Sequence, residues 1–249
     1  SAASDVYKRQ ASGNEAGTVH PLITADWNLR SQWYLLGFMA TLRTVMPWLN
    51  ELPDRNEMGD LNGLVELSMN EKTKKRNAES IERVGLPDSL TSPISAATAS
   101  ELLGTKAMAD GMLFAQGGWL YPKAVVEKCL AHANVTLRSS QKVKNLTNMG
   151  SVEKPEWMVE CESDEFSADA VIVATGSLDK NLNQKLGLPI RPVKGQVTHL
   201  QHTQQLNILK KAVTHDGYSV SHASGAVTGA TFEAPDMSLE MSTESHHLN

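Results

Sequence analysis

The sequence predicts an α/β fold that combines a doubly wound nucleotide-binding part with a second part built on a mostly antiparallel sheet. Residues 170–174 form an apolar run that ends in Ala174-Thr175-Gly176, and such a run is typical of a parallel strand buried on both faces. Ligands of doubly wound sheets bind at the carboxyl ends of these strands. Helical segments precede the run, and further short strands follow residue 191. We therefore expect a dinucleotide beside residues 174–176, and a core strand without a ligand is the alternative.

Helices are predicted where apolar residues recur at helical spacing or where capping residues mark an end. Apolar spacing predicts a helix over residues 25–50, and an Asn before and a Gly after predict another over residues 70–84. A short helix is expected over residues 98–103. Pro122 favours the start of a further helix, because proline is suited to the first helical turn. A polar helix is also expected near residues 203–212.

Strands are predicted from short runs of β-prone residues. These runs cover residues 63–69, 135–138, 141–146, 157–162, 170–174 and 191–200, with two more around Tyr218 and over residues 227–232. Among the four runs between residues 135 and 174, only the last is apolar throughout. The two before it therefore predict half-exposed strands.

Composition and charge limit the possible partners. The 249 residues are 41% hydrophobic and 20% charged, which is ordinary for a globular protein. A net charge of -5 gives no general attraction to nucleic acid or anionic membranes. The run Lys72–Arg76 could contact nucleic acid, but a solvated helix face is the simpler interpretation. Since no apolar run is long enough for a bilayer and no signal peptide is visible, we expect a cytoplasmic protein with no membrane partner.

The cysteines and histidines predict neither a disulfide nor a metal site. Cys129 and Cys161 are isolated, and we expect both to be reduced and buried. The eight histidines are scattered along the chain, and the motifs H-E-x-x-H and G-x-S-x-G are absent. We therefore expect no metal and no hydrolytic centre, so a cofactor would have to supply any redox chemistry.

Six motifs occur in an order that points to one family. They are Ser12-Gly13-Asn14-x-x-Gly17, Gly117-Gly118-Trp119-x-x-Pro122, Ala174-Thr175-Gly176, Pro192-Val-Lys-Gly-Gln196, His215-Asp-Gly-Tyr218 and Gly229-Ala-Thr-Phe-Glu233. From about residue 11 to residue 249 the chain resembles the D-amino-acid-oxidase-like FAD-dependent oxidoreductases. Within them it is most similar to the oxidoreductase domain of bifunctional tRNA-modifying enzymes.

The resemblance implies a truncated FAD/NAD(P)-binding doubly wound fold, interleaved with an α+β substrate domain on a mostly antiparallel sheet. Residues 11–50 and 111–185 would form the FAD-binding domain, and residues 51–110 and 186–249 the substrate domain. We interpret residues 1–10 as a sequencing artefact or a disordered tail. The family's G-x-G-x-x-G fingerprint is absent, so we expect that the first βαβ unit and a later flavin-contacting segment are missing and that this polypeptide as written is inactive.

The resemblance also implies roles for individual residues. Ser12, Gly13, Asn14 and Gly17 would lie along the FAD pyrophosphate and flavin, and Val143 would present its backbone to the adenine. Ala174, Thr175 and Gly176 would close over the adenine-ribose side. The substrate-side candidates, which would face the flavin from the substrate sheet, are Lys194, Gln196 and Tyr218. No catalytic side chain is assigned, because the flavin itself accepts the hydride.

The implied reaction is the oxidative removal of the carboxymethyl group from 5-carboxymethylaminomethyl-(2-thio)uridine at the tRNA wobble position. Its products would be the 5-aminomethyl nucleoside and glyoxylate. The implied partners are tRNA and an N-terminal SAM-dependent methyltransferase domain in the full-length protein. One alternative is a small-molecule amine oxidase of the glycine or sarcosine oxidase type. Another is a non-catalytic remnant of the fold.

Overall fold

Two units make up the structure, a computed structural model that describes residues 11–176, 179–202, 209–231 and 242–248. One unit comprises Leu130–Lys194 with residues 11–13, and the other comprises Asn14–Cys129 and Gly195–Thr231 with residues 242–248. This division differs from the predicted one, because residues 14–50 and 111–129 belong with the predicted substrate-side strands. The assignment of FAD and substrate to separate parts of the chain stays a prediction.

Six helices lie in the described part of the chain. They are α1 (Leu29–Glu51), α2 (Glu71–Val84), α3 (Ala96–Leu103), α4 (Pro122–Leu130), α5 (Lys180–Lys185) and α6 (Thr243–Leu248). The helix predicted over residues 25–50 begins at Leu29, because Oδ1 of Asn28 caps it by accepting the Ser31 N–H at 3.1 Å. The predicted caps of α2 are confirmed: Asn70 accepts the Thr73 N–H, and Gly85 ends the helix in a left-handed conformation.

Thirteen strands are described. They are β1 (Gly17–Val19), β2 (Gly59–Asp60), β3 (Leu64–Leu67), β4 (Thr91–Ile94), β5 (Gly111–Phe114), β6 (Gly118–Leu120), β7 (Val143–Asn148), β8 (Trp157–Cys161), β9 (Glu165–Ala168), β10 (Val197–Gln201), β11 (Ala212–Thr214), β12 (Tyr218–His222) and β13 (Gly225–Gly229). Residues 135–138 form no strand, contrary to prediction. Most of the polar helix predicted near residues 203–212 lies outside the described residues, and Ala212 belongs to β11.

A seven-stranded sheet in the order β10-β13-β12-β11-β3-β5-β4 is the centre of the unit that contains Asn14–Cys129. Within it the β3–β11 pair is parallel and the other described pairs are antiparallel, which confirms a mostly antiparallel sheet. Side chains alternate between its faces. Leu64 packs with Phe114 in one buried cluster, whereas Val65 packs with Leu103 of α3 in another.

Strands β1, β6 and β2 form a second, three-stranded sheet in the same unit. Helix α1 packs beside it, since Phe38 and Leu49 share a buried cluster with Leu61 and Leu120. This packing and the β1–β6 pairing explain why residues 14–50 and 111–129 belong to one unit.

The other unit contains the antiparallel sheet β7-β8-β9 and helix α5. The prediction of a buried strand over residues 170–174 is wrong: these residues form no strand, and Ile172 is 92% exposed. An apolar strand needs cover on both faces, and no described strand pairs with this segment.

The cysteines are free, as predicted, but they are not buried. Cys129 is exposed on α4 and Cys161 is half-buried at the end of β8. Among the helices of the described ranges, none has both the length and the apolar character needed to cross a bilayer.

The approach of β6 to β2 requires glycine at position 118. A Cβ there would overlap the carbonyl oxygen of Asp60. We expect Gly118→Ala to lower the free energy of unfolding by about 1–3 kcal/mol, since the overlap is with backbone that must move. Urea unfolding followed by circular dichroism measures this.

Gly37→Ala is the matched control, because a Cβ at this exposed position in α1 meets nothing within 4 Å. It should raise the free energy of unfolding by about 0.5–1 kcal/mol through helix propensity. Equal effects of the two substitutions would contradict the close approach of β6 and β2.

Candidate functional site

Tyr218, a predicted substrate-side residue, holds part of the predicted cofactor loop. Its side chain is half-buried at the start of β12, and its hydroxyl donates a hydrogen bond to the carbonyl oxygen of Ala16 at 3.3 Å. Burial raises the pKa of Tyr218, so the phenol stays protonated at neutral pH and remains a donor. Ala16 is fully buried, and the predicted FAD residues Asn14 and Gly17 lie on either side of it in sequence.

The side-chain amide of Gln196 forms two hydrogen bonds with the backbone of a segment that is distant in the sequence. Its Nε2 donates to the carbonyl of Ser242 at 3.0 Å, and its Oε1 accepts the Ser242 N–H at 2.8 Å. Its own N–H donates to Oγ1 of Thr231. These contacts tie residue 242 to the strand region before β10, and the role of Gln196 towards a substrate stays a prediction.

The remaining predicted site residues lie in the unit that contains Leu130–Lys194. They are Ser12 and Gly13 in a 3-10 turn, Val143 at the start of β7, Ala174, Thr175 and Gly176 in irregular backbone, and Lys194. The predicted site residues therefore fall into two groups, one in each unit. Tyr218 is joined to the segment Asn14–Gly17, whereas Ala174–Gly176 belongs to the other group.

The segment Ala174–Gly176 has two features that fit a bound nucleotide. Oγ1 of Thr175 is buried and has no hydrogen-bond partner within the described residues, and a buried hydroxyl without a partner is costly. Gly176 has a φ of 67°, which favours glycine, and its carbonyl accepts a hydrogen bond from Asn183 at 3.0 Å. The turn is therefore fixed, and a polar ligand group could satisfy the threonine.

A cluster of ionisable side chains surrounds Glu15, and the sequence analysis did not find it. Oε2 of Glu15 lies 3.3 Å from Nδ1 of His199 and 3.5 Å from Nε2 of His222. The rings of Tyr121 and His222 meet edge to face, with centroids 5.8 Å apart. The interpretation of the histidines as scattered is wrong here, because strand pairing brings residues 23 positions apart to one carboxylate. Within the described ranges, no group of His, Cys, Asp and Glu has the arrangement of a metal site.

The environment of His222 differs from that of the other two members of this cluster. Its side chain is 1% exposed, against 49% for His199 and 54% for Glu15. Burial lowers the pKa of His222, while the charge of Glu15 raises it. His222 therefore favours the neutral form at neutral pH. β10 and β12 each contain one histidine, so the sequence alone gives no signal that His199 and His222 converge, and only the strand register shows it.

The basic run Lys72–Arg76 lies in α2, as predicted. Lys72 and Lys74 are exposed, Lys75 lies 3.9 Å from Glu79, and Arg76 pairs with Glu66 of β3. Acidic neighbours offset part of its charge, which agrees with a solvated helix face.

Comparison with known proteins places the chain among flavoenzymes. The family model described as DAO, FAD dependent oxidoreductase, matches residues 2–247. The chain is 43% identical to a tRNA 5-methylaminomethyl-2-thiouridine biosynthesis bifunctional protein MnmC from Hydrogenovibrio crunogenus, over 97% of the chain and 36% of that protein. It is 31% identical to the protein of the same name from Paraburkholderia phytofirmans, over 97% of the chain and 37% of that protein. The chain thus spans about a third of the length of these relatives.

Solved structures with the same fold include two oxidases. Glycine oxidase from Bacillus cereus superimposes with a TM-score of 0.73 at 15% identity, covering 96% of this chain and 66% of the oxidase. Iminodiacetate oxidase from Chelativorans sp. BNC1 gives a TM-score of 0.69 at 18% identity, covering 96% and 67%. At these identities the likeness shows the fold alone.

The hydrogen bond from Tyr218 to Ala16 should contribute measurably to stability. We expect Tyr218→Phe to lower the free energy of unfolding by about 1 kcal/mol, because the buried backbone carbonyl loses its donor. Chemical denaturation measures the change. Tyr34→Phe is the control, since Tyr34 is 46% exposed on α1 and its loss of a hydroxyl should change stability by less than about 0.5 kcal/mol. Equal effects would show that the Ala16 contact contributes nothing.

Proposed function

The chain belongs to the DAO family of FAD-dependent oxidoreductases, and from this we propose that it carries the oxidative step of wobble-uridine modification in tRNA. The observation that carries the proposal is the 43% identity, over 97% of the chain, to a relative named for biosynthesis of 5-methylaminomethyl-2-thiouridine in tRNA.

The proposed substrate is 5-carboxymethylaminomethyl-(2-thio)uridine at the wobble position. A hydride leaves the carboxymethyl carbon and a proton leaves the secondary amine nitrogen, which gives a carbon–nitrogen double bond. Water then hydrolyses this bond and supplies the aldehyde oxygen of the glyoxylate that is released. The 5-aminomethyl nucleoside remains on the tRNA. The chemistry that bound FAD would supply is acceptance of this hydride, with dioxygen as the final electron acceptor.

The candidate cofactor residues are proposed for each unit by itself. Asn14 and Gly17 belong to the segment that Tyr218 fixes through Ala16. In the other unit, Thr175 offers a buried hydroxyl and Gly176 a left-handed turn. Ser12, Gly13, Val143 and Ala174 complete the proposed cofactor set.

On the substrate side we propose Tyr218, Gln196 and Lys194. The raised pKa of Tyr218 keeps its hydroxyl protonated, so Tyr218 can position a substrate only as a neutral group. Gln196 and Lys194 belong to different units, and Gln196 orders residue 242 through its amide.

The proposed partners follow from the relatives' name and length. A bifunctional protein that is about three times as long as this chain has room for another catalytic domain. We propose a SAM-dependent methyltransferase domain that completes the modification and tRNA as the shared substrate. Because the chain carries a net charge of -5, its contribution to tRNA affinity must come from local basic groups.

The cofactor role of Thr175 is testable with an isosteric substitution. Thr175→Val removes a hydroxyl that has no described protein partner, so the unfolding free energy of the apoprotein should stay equal or rise. The Kd for FAD, measured by flavin fluorescence, should rise about tenfold, since one hydrogen bond to the cofactor is lost.

Thr91→Val is the matched control for Thr175→Val, because Oγ1 of Thr91 is also buried without a described partner but lies in β4. It should leave the Kd for FAD unchanged. If Thr175→Val binds FAD as tightly as the wild type, Thr175 does not contact the cofactor.

The substrate is tested with the protein expressed from its genomic locus and loaded with FAD. Under anaerobic conditions, tRNA that carries the carboxymethylaminomethyl group should bleach the visible flavin absorbance and release one equivalent of glyoxylate per flavin reduced. Unmodified tRNA, glycine and sarcosine should leave the flavin oxidised.

Three results would contradict parts of this account. Bleaching by glycine or sarcosine, with none by modified tRNA, would identify a small-molecule amine oxidase. Binding of FAD without reduction by any of these amines would indicate a different substrate. A colourless protein that ignores added FAD would identify a non-catalytic remnant of the fold.

A further inference from the structure

Strand register places three polar side chains on one face of the seven-stranded sheet. Val227 of β13 is paired with His199 of β10 on one side and with Val220 of β12 on the other. Because side chains alternate along a strand, Tyr218 and His222 lie on the same face as Val220, and this is also the face of His199. The face therefore presents a phenol and two imidazoles together.

All three side chains reach two adjacent residues of the segment Asn14–Gly17. His199 and His222 approach one carboxylate oxygen of Glu15, at 3.3 and 3.5 Å. Tyr218 donates to the carbonyl of Ala16, the next residue. Glu15 is thus the only side chain of Asn14–Gly17 for which the described structure gives an ion-pair contact with the sheet.

The hydrogen-bond pattern fixes which nitrogen of His222 carries the proton in the neutral ring. Nδ1 lies 3.4 Å from the backbone N of Ser224 and 3.0 Å from its Oγ. A backbone N–H can only donate, so Nδ1 is an acceptor and the hydrogen is on Nε2. Nε2 is buried and has no hydrogen bond of good geometry among the described residues. Its ion-pair contact is the carboxylate of Glu15.

The charged surroundings of His222 favour a negative group at position 15. The titratable groups that face it are Glu15, His199 of β10, His202 after β10 and Tyr121 after β6. His202 is itself bound to the carbonyl of Ala223. A carboxylate is the one acidic member of this set at neutral pH, and without it the buried N–H would face only aromatic and basic groups.

We propose that Glu15 is a positioning residue, which holds the segment Asn14–Gly17 against the sheet through His199 and His222 in the conformation that binds FAD. The proposal rests on the proposed function for the role of this segment in binding FAD. Glu15 itself need not touch the cofactor. It acts through the backbone of its neighbours Asn14 and Gly17, while the bond from Tyr218 to Ala16 fixes the segment at a second point.

The first test measures how strongly Glu15 restrains the segment Asn14–Gly17 in the absence of a cofactor. Hydrogen exchange of the Ala16 and Gly17 amides in the apoprotein should become about tenfold faster in Glu15→Ala. Glu15→Gln keeps one acceptor oxygen and should give a smaller increase. Glu101→Gln, a substitution of an exposed glutamate on α3, should change neither amide. Unchanged exchange in Glu15→Ala would overturn the proposal.

The second test measures the contact with His222 directly. Because the charge of Glu15 raises the pKa of His222, Glu15→Gln should lower that pKa, as followed by imidazole NMR signals across a pH titration. An unchanged His222 titration would show that the carboxylate and the ring are not in contact, and this would overturn the proposal.

The third test asks whether the restraint of the segment Asn14–Gly17 by Glu15 affects the affinity for FAD. In the protein expressed from its genomic locus, Glu15→Ala should raise the Kd for FAD about tenfold, with a smaller rise for Glu15→Gln and none for Glu101→Gln. If the variant exchanges faster but binds FAD with unchanged Kd, the positioning role is overturned. If the wild type itself binds no FAD, the proposed function fails instead, and the exchange and NMR results still decide whether Glu15 holds the segment.

Discussion

The parallel pairing of β3 with β11 is the constraint on which the candidate site depends. It aligns Leu64 with Ala212 and Glu66 with Thr214, and so joins two segments that are about 150 residues apart in the sequence. Strands β12, β13 and β10 follow from β11 in antiparallel order. Only this arrangement brings Tyr218, His199 and His222 against the segment that precedes β1. Such long-range pairing carries a loop-closure cost, which the buried cluster of Leu64, Phe114, Val220 and Val227 offsets.

Local signals predicted α1 to α4 but not the short helices α5 and α6, and they predicted the buried faces poorly. The caps of α2 were evident because Asn70 and Gly85 act within one helical turn. The apolar spacing of α1 was less informative about burial, since two apolar residues of this helix differ sharply: Leu36 is 65% exposed and Phe38 is 4% exposed. Spacing identifies an apolar stripe, but which stripe is covered depends on the packing of α1 beside Leu61 and Leu120.

The candidate site shows the same division between local and long-range information. The order of the motifs, which include residues 12–17 and Tyr218, predicted the family of the chain. The structure shows in addition that Tyr218 contacts Ala16, within the first of these motifs. The Glu15 cluster could not be predicted, because nothing local links residue 15 to residues 199 and 222. The wrong prediction of a strand over residues 170–174 has a related cause. The apolar pattern is that of a strand buried on both faces, but burial depends on neighbouring strands, and no described strand pairs with this run.

The central proposal is that the segment Asn14–Gly17, which side chains of the sheet fix, contributes to FAD binding in its unit, and that Ala174–Gly176 contributes in the other. Hydrogen exchange of the wild-type protein with and without saturating FAD tests this most directly, because it reads both segments in one experiment. The account predicts that FAD slows exchange at residues 14–17 and at residues 174–176, while the β8–β9 hairpin is unchanged. Slower exchange at neither segment, in a protein that demonstrably binds FAD, would contradict it.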